Sequence, residues 1–319
     1  MRSLYKKLLP ALLIALNIGA TAQSPKSAFT IVPLGIKGGI DESNLSAYMV
    51  ASANSTNYIC LDAGTLNYGI EKAVKKGIFK VSSEQVLCQY IKGYFISHAH
   101  LDHISGLIIN SPDDSTKSIY GLAPTLETIK THYFTWASWA NFTNDGEKPL
   151  LNKYSYKSLE PGKEVKIDNT EMTVKAFPLS HSNLTSTAFL IKSGDNYLLY
   201  LGDVGADTIE KTQNLRNLWQ AIAPLIKTKQ LKGIMIEVSY PNSQPEKSLF
   251  GHLTPKLLMD ELTVLGGYAD MENLKGFNIV VTHVKPPEEN IKKLKEELKS
   301  ENSLGVNLIF PKQGKKLEL

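Results

Sequence analysis

Ile96-Ser97-His98-Ala99-His100-Leu101-Asp102-His103-Ile104-Ser105-Gly106-Leu107 sets three histidines and an aspartate within six residues, in a chain that holds seven histidines altogether. The run before it, residues 90–96, reads as a strand, so His98 and His100 stand just past a strand end at period-two spacing and point the same way. Both imidazoles can then reach one ion. Asp102 and His103 open an apolar, helix-compatible segment, and the exposed amides of a first helical turn favour a carboxylate there. A second ligand pair is thereby placed beside the first. Any one of these side chains alone would read as an ordinary polar residue; their clustering points to a metal site, and to a hydrolase that uses two ions.

Outward from this cluster, strands are expected at residues 29–34, 47–52 and 58–61, the last running into Asp62-Ala63-Gly64. Helix-like segments follow at 69–76, 84–90, 102–110 and 125–132. A second strand group covers 172–177, 186–191 and 197–201, followed by helix 215–228, strand 233–236, helix 255–265, strand 277–281 and helix 287–299. Prolines at the start of the last helix, Glu288 and Glu289 in its first turn and lysines toward its end suit the helix dipole. A meander with helices, repeated once, implies an α/β fold of two mixed sheets packed face to face with helices outside. Residues 136–153 carry the weakest pattern, with Trp136, Trp139 and Phe142 among Asn, Asp, Gly and Pro, and form a candidate flap.

Two ions need more ligands than one cluster offers, and the remaining candidates lie after buried-type strands. His181 follows strand 172–177 and Pro178-Leu179-Ser180, on a loop leaving the strand. Asp203 follows a strand and Gly202, where the glycine lets the backbone turn. His283 follows Ile279-Val280-Val281-Thr282. Singly, each also reads as a loop residue, and Asp203 as a helix cap. Together they give each of two ions about four protein ligands, with Asp203 the carboxylate placed to bridge.

Residues 98–112 resemble the signature of class II cyclic-nucleotide phosphodiesterases: H-x-H-L-D-H, an aliphatic, any residue, Gly, three aliphatics, any residue, Ser, Pro. Every position is met. The shorter H-x-H-x-D-H core is similar to that of the metallo-β-lactamase superfamily at large, including ribonuclease Z and glyoxalase II types. The resemblance continues through Gly202 to Asp207, Ile236 to Asn242, Gly251 to Pro255 and Thr282 to Pro286, nearly the whole of the chain after residue 22. It implies a four-layer αββα metallo-β-lactamase-like sandwich, with His98, His100 and His181 on one metal, Asp102, His103 and His283 on the other, and Asp203 between them.

By the same resemblance the substrate is a 3′,5′-cyclic nucleotide, cAMP and/or cGMP, opened by a metal-bridging hydroxide to the nucleoside 5′-monophosphate. Mixed imidazole and carboxylate ligation favours Zn²⁺ and is compatible with Mn²⁺ or Fe²⁺. Asp102 counts as a catalytic residue as well as a ligand. His252, in Gly251-His252-Leu253-Thr254, and Glu237, after a strand, suit a carboxylate-oriented imidazole donor for the departing oxygen, similar to one in ribonuclease Z. His252 reads alternatively as a helix cap or a structural residue. Trp136, Trp139 and Phe142 can stack on the base or merely anchor their loop. The competing readings are another hydrolase of the superfamily, a lactonase, β-lactamase or nuclease, and a non-catalytic secreted binding protein.

With 319 residues, 42% hydrophobic and 21% charged, the chain can bury one sizeable core or two modest ones. The formal charge is +4, and Arg2, Lys6 and Lys7 carry all but about +1 of it, which excludes a large basic face for nucleic acid. Those three residues lie in 1–22, a basic start, an apolar run over 8–18 broken by Pro10 and Asn17, and Ala20-Thr21-Ala22. This reads as a signal peptide, implying a periplasmic or secreted protein without a stable membrane anchor; a retained N-terminal anchor helix is the alternative. Residues 23–319 then form one domain whose partner is the small-molecule substrate. Cys60 and Cys88 make no disulfide framework; they pair, or stay as buried thiols.

Overall fold

The computed structural model describes residues 27–319, so the expected signal peptide lies outside the described residues. Strands β1 (Phe29–Gly35), β2 (Ala47–Ser52) and β3 (Tyr58–Leu61) pair antiparallel, after which β4 (Ile91–Phe95), β5 (Lys117–Gly121) and β6 (Tyr154–Ser158) add in parallel. The second sheet repeats this plan. Strands β7 (Val165–Lys166), β8 (Met172–His181), β9 (Leu184–Ser193) and β10 (Asn196–Leu201) run antiparallel, and β11 (Leu231–Glu237), β12 (Asn278–Thr282) and β13 (Asn307–Ile309) continue in parallel. The last strand, β14 (Leu317–Glu318), returns to the first sheet beside β1.

Helices α1 (Asn67–Lys75), α2 (Ser83–Gln85), α3 (Leu101–Asn110) and α4 (Ala123–Thr128) connect strands of the first sheet. Helices α5 (Asp207–Glu210), α6 (Asn214–Lys227), α7 (Pro255–Ala269) and α8 (Glu288–Glu301) belong to the second. Three apolar clusters separate four layers. Ile31, Val50, Phe95, Val174, Phe189 and Tyr200 fill the space between the sheets. Val32, Met49, Tyr94, Ile104 and Leu107 pack the first sheet on its helices, and Leu199, Ile236, Trp219, Leu262 and Leu294 do so for the second. Neighbouring residues such as Ile31 and Val32, or Leu199 and Tyr200, thus enter different clusters, as a pleated strand covered on both faces requires. The αββα sandwich is the observed fold.

Local chemistry explains the helices. In α6, Leu215, Leu218, Trp219, Ile222, Ala223 and Ile226 form one buried stripe. In α7, the Thr254 hydroxyl accepts from the Leu257 amide and Pro255 holds the first helical position. The segments expected as helices at 84–90 and 125–132 begin as α2 and α4 and finish as π turns, Val86–Tyr90 and Ile129–Tyr133. Strand β8 runs to His181, so that residue ends a strand rather than sitting on a loop beyond one. Short β7 reaches only Thr173 and Val174, leaving the far half of β8 unpaired on one side, where Pro178 costs no ladder bond. Cys60 and Cys88 are free thiols that point at the carbonyls of Asp62 and Asp113. Among the described residues no helix is long and apolar enough to cross a membrane.

Candidate metal centre

The parallel strands of both sheets end at the same place, and the polar residues that follow them meet there, as ligand sites do beyond the carboxyl ends of α/β strands. Asp62 follows β3, Ser97 to His100 follow β4, Asp203 follows β10, Ser239 follows β11 and His283 follows β12. Helix α3 brings Asp102 in its first turn and His103 beside it; β8 brings His181. His98, His100, His181 and Asp203 offer ligand atoms that all lie within 4.8 Å of one another, and so do Asp102, His103 and His283. A third such group is Asp203, His252 and His283, which shares Asp203 with the first and His283 with the second.

The hydrogen bonds around these rings fix where their protons lie. Ser97 Oγ donates to Asp62, so it accepts from His98 Nδ1 at 3.0 Å. His181 Nδ1 donates to the Gly251 carbonyl at 2.8 Å, and His103 Nδ1 to Asp62 at 2.8 Å. Ser239 Oγ donates to Glu237, so it accepts from His283 Nδ1 at 2.9 Å. In all four rings Nε2 is left as the bare lone pair, aimed inward. His98 Nε2 lies 3.0 Å and His181 Nε2 3.4 Å from His100 Nδ1, while His283 Nε2 is 3.1 Å from Asp102 and 3.4 Å from Asp203. Second-sphere acceptors that set the tautomer in this way are the usual support of metal-binding imidazoles.

His103 Nε2 and Asp203 Oδ1 face each other at 3.3 Å without hydrogen-bond geometry, and both are buried with no other partner. Buried polar atoms without partners are costly, and converging lone pairs are costlier still. A divalent cation resolves both, so the donor set fits such an ion. The charges agree. Burial alone would lower the pKa of His103, but the charges of Asp203, Asp62 and Asp102 raise it well above the usual value. Burial would raise Asp203 and Asp102, and chiefly the charge of His103 holds both below the usual carboxylate range. Burial lowers His98 well below the ordinary imidazole value and His181 to about 4. Carboxylates that favour a proton on His103 Nε2 in this way equally favour a cation in that proton's place.

Two backbone features hold the cluster. Asp62 and His283 both adopt left-handed φ of 53°, uncommon for residues with a β-carbon and characteristic of functional sites. Gly202 has no positive φ; its lack of a side chain matters because an added β-carbon would sit 2.2 Å from that of Ser97. The glycine permits close approach of the two halves rather than the turn expected from sequence.

Glu237 and His252 come together too. Glu237 accepts from His252 Nδ1 at 2.7 Å, and His252 Nε2 is 2.8 Å from the Lys285 ammonium. Burial and then Asp203 raise Glu237 to about 7, while burial lowers His252 to about 4. The aromatic residues Trp136, Trp139 and Phe142 are not brought to the cluster. Trp139 bonds Ser111 at the C-terminal end of α3, about 15 Å of helix from Asp102, Trp136 bonds the Pro149 carbonyl, and Phe142 packs on the first-sheet core under Lys153. They anchor the 136–153 loop. A cavity of about 660 Å³ instead adjoins Asp102, walled by Ile40, Leu66, Tyr68, Leu101 and Ile109. A smaller one beside His98 and His100 is walled by Tyr133, whose hydroxyl donates to the Ala99 carbonyl. Asp62, Tyr68 and Tyr133 had no sequence signal beyond their residue types, and Ser239 and Lys285 were marked only by lying in segments that carry the family resemblance.

The profile of the family cAMP phosphodiesterases class-II matches residues 28–314. A 3′,5′-cyclic-nucleotide phosphodiesterase of Aliivibrio fischeri is 43% identical over 331 residues, which covers 99% of this chain and 100% of that protein. A probable 3′,5′-cyclic-nucleotide phosphodiesterase of Yersinia pestis is 38% identical over 316 residues, covering 94% and 92%. The crystal structure of unliganded yeast PDE1 superposes with a TM-score of 0.82 at 25% identity, over 92% of this chain and 100% of that one. The metallo-β-lactamase fold protein YhfI of Bacillus subtilis, at 18% identity and a TM-score of 0.59, shares the fold.

Proposed function

The chain belongs to the class II cAMP phosphodiesterase family, and from that membership we propose that it hydrolyses 3′,5′-cyclic nucleotides to nucleoside 5′-monophosphates in a metal-dependent reaction. The observation that carries the metal dependence is the convergence of bare imidazole nitrogens and two carboxylates, drawn from both sheets, around Asp203. His98, His100 and His181 would hold one divalent ion and Asp102, His103 and His283 the other, with Asp203 reaching both. When bound, such a pair supplies Lewis acidity at phosphorus and lowers the pKa of a water toward neutrality. An imidazole-rich set with carboxylates suits zinc best and accommodates manganese or iron.

The remaining residues bind and orient. Asp62 and Ser239 keep the ligand rings in one tautomer, so the cluster needs no rearrangement when the substrate enters. The cavity beside Asp102 gives the nucleoside apolar walls, with the Tyr68 ring available to a base face. We assign delivery of the proton to the departing 3′ oxygen to His252, oriented by Glu237; the resting ring holds its one proton on Nδ1, so Nε2 must first take up a proton from solvent. Purified protein assayed against cAMP, cGMP, a β-lactam and a linear phosphodiester, with and without chelator, tests the reading. Release of a 5′-monophosphate from a cyclic nucleotide, abolished by chelator and restored by zinc, is expected; turnover of the lactam or the linear diester alone would overturn it.

A further inference from the structure

Lys285 lies two residues past His283, and its ammonium donates to the lone pair of His252 Nε2 at 2.8 Å, because His252 Nδ1 already gives its proton to Glu237. The face of the Tyr240 ring lies 5.5 Å from the same ammonium. This imidazole is the hydrogen-bond partner of the Lys285 ammonium, and no carboxylate pairs with it among the described residues. Other lysines near carboxylates behave differently: Lys37 pairs with Asp41 and Lys117 with Asp114. No other ammonium or guanidinium among the described residues touches the clustered imidazoles or carboxylates. A partly buried cation held by a neutral ring keeps two N–H donors and its full charge for an anion.

We propose that Lys285 is the cationic contact for the phosphate of the substrate, donating to a non-bridging oxygen while it rests on His252. The proposal rests on the phosphodiesterase reading, in which the scissile group is an anion brought to this cluster. Its charge offsets negative charge on phosphorus from the side of His252, and Glu237 positions it through the imidazole. His252 Nε2 thereby places Lys285, and the ring serves the departing oxygen only when that nitrogen carries a proton of its own.

Lys285→Met, Lys285→Gln and Lys285→Arg, each checked for metal content and melting temperature, decide the matter by steady-state kinetics on cAMP and by competitive inhibition with inorganic phosphate. Removing one charge-assisted contact should weaken phosphate inhibition on the order of 10- to 100-fold and lower kcat/KM by a similar factor in the Met and Gln variants. Lys285→Arg should retain most of both. Glutamine can still donate to His252 without charge, so a Gln variant at the wild-type level would overturn the proposal. So would a Met variant within threefold of wild type in both readouts, or one whose defect is lost metal. A wild-type protein that turned over no cyclic nucleotide would defeat the phosphodiesterase reading, while the phosphate affinities of the variants, then measured by isothermal titration calorimetry, would still decide the role of Lys285.

Discussion

Asp62 sits at the end of β3 in left-handed backbone, fully buried, and accepts from the Ser97 amide, the Ser97 hydroxyl, the Tyr200 hydroxyl and His103 Nδ1. Four donors on one carboxylate fix its position, and the carboxylate fixes His103. Asp62→Asn removes the charge and puts an amide NH₂ among donors, so His103 loses the partner that keeps its Nε2 bare. Metal affinity should fall by about 10- to 100-fold with the fold retained, measured by chelator competition alongside circular dichroism. Unchanged affinity would mean that Asp62 serves packing alone. The ligands His98, His100, Asp102 and His103 were legible because four of them share one short window, and His181, Asp203 and His283 because each follows an apolar run. Asp62 was not. A single aspartate after a strand looks like a turn residue, and its partner Tyr200 lies 138 residues away in sequence.

At the scale of elements, periodicity located most strands and helices and failed where tertiary contacts override it. Strands β5 and β6 escaped notice because Lys117 and Ser118, or Lys157 and Ser158, break the apolar run; Lys117 is buried there by pairing with Asp114 and donating to the Leu87 carbonyl. The 136–153 loop left two readings open, base stacking or anchoring, since its tryptophans also suit a binding flap. Asn141, buried at its centre, donates to the Asp145 and Glu147 carbonyls and accepts from Thr143, which closes the loop on itself. The wall of the cavity beside Asp102 comes from residues 39–45, the start of α1 with the turn before it, and α3 instead. Tyr68→Ala should therefore raise KM for a cyclic nucleotide by about tenfold, the order of one lost base stack, with kcat little changed. Trp136→Ala should leave KM where it is. The reverse pattern in steady-state kinetics would return the base to the loop.

The molecule as a whole is two similar halves joined along the sheet interface, and the candidate centre draws on both. His98, His100, Asp102 and His103 come from the first half, His181, Asp203 and His283 from the second, so an ion held by the first group ties the end of β4 to β8 and β10, and one held by the second ties α3 to β12. Apart from the family resemblance, that arrangement was visible in the sequence only as a repeated order of strands and helices; which strand ends meet depends on how two sheets stack, and no local pattern encodes it. A ligand that binds only the folded state stabilises it by RT ln(1 + [L]/Kd), about 2.7 kcal/mol at a hundredfold excess over Kd. For a chain of this length each kcal/mol moves the melting temperature by about 2 °C, so stripping both ions should lower it by about 5–10 °C. Differential scanning calorimetry before and after chelation, with zinc added back, measures this. His103→Ala should shrink the metal-dependent increment and also lower the melting temperature of the chelated protein, because it opens a cavity in a buried site and takes from Asp62 its donor while leaving Asp203 Oδ1 unpaired. A melting temperature indifferent to chelator and to zinc would show that the two halves are held by their apolar interface alone and that the cluster binds no ion in the folded protein.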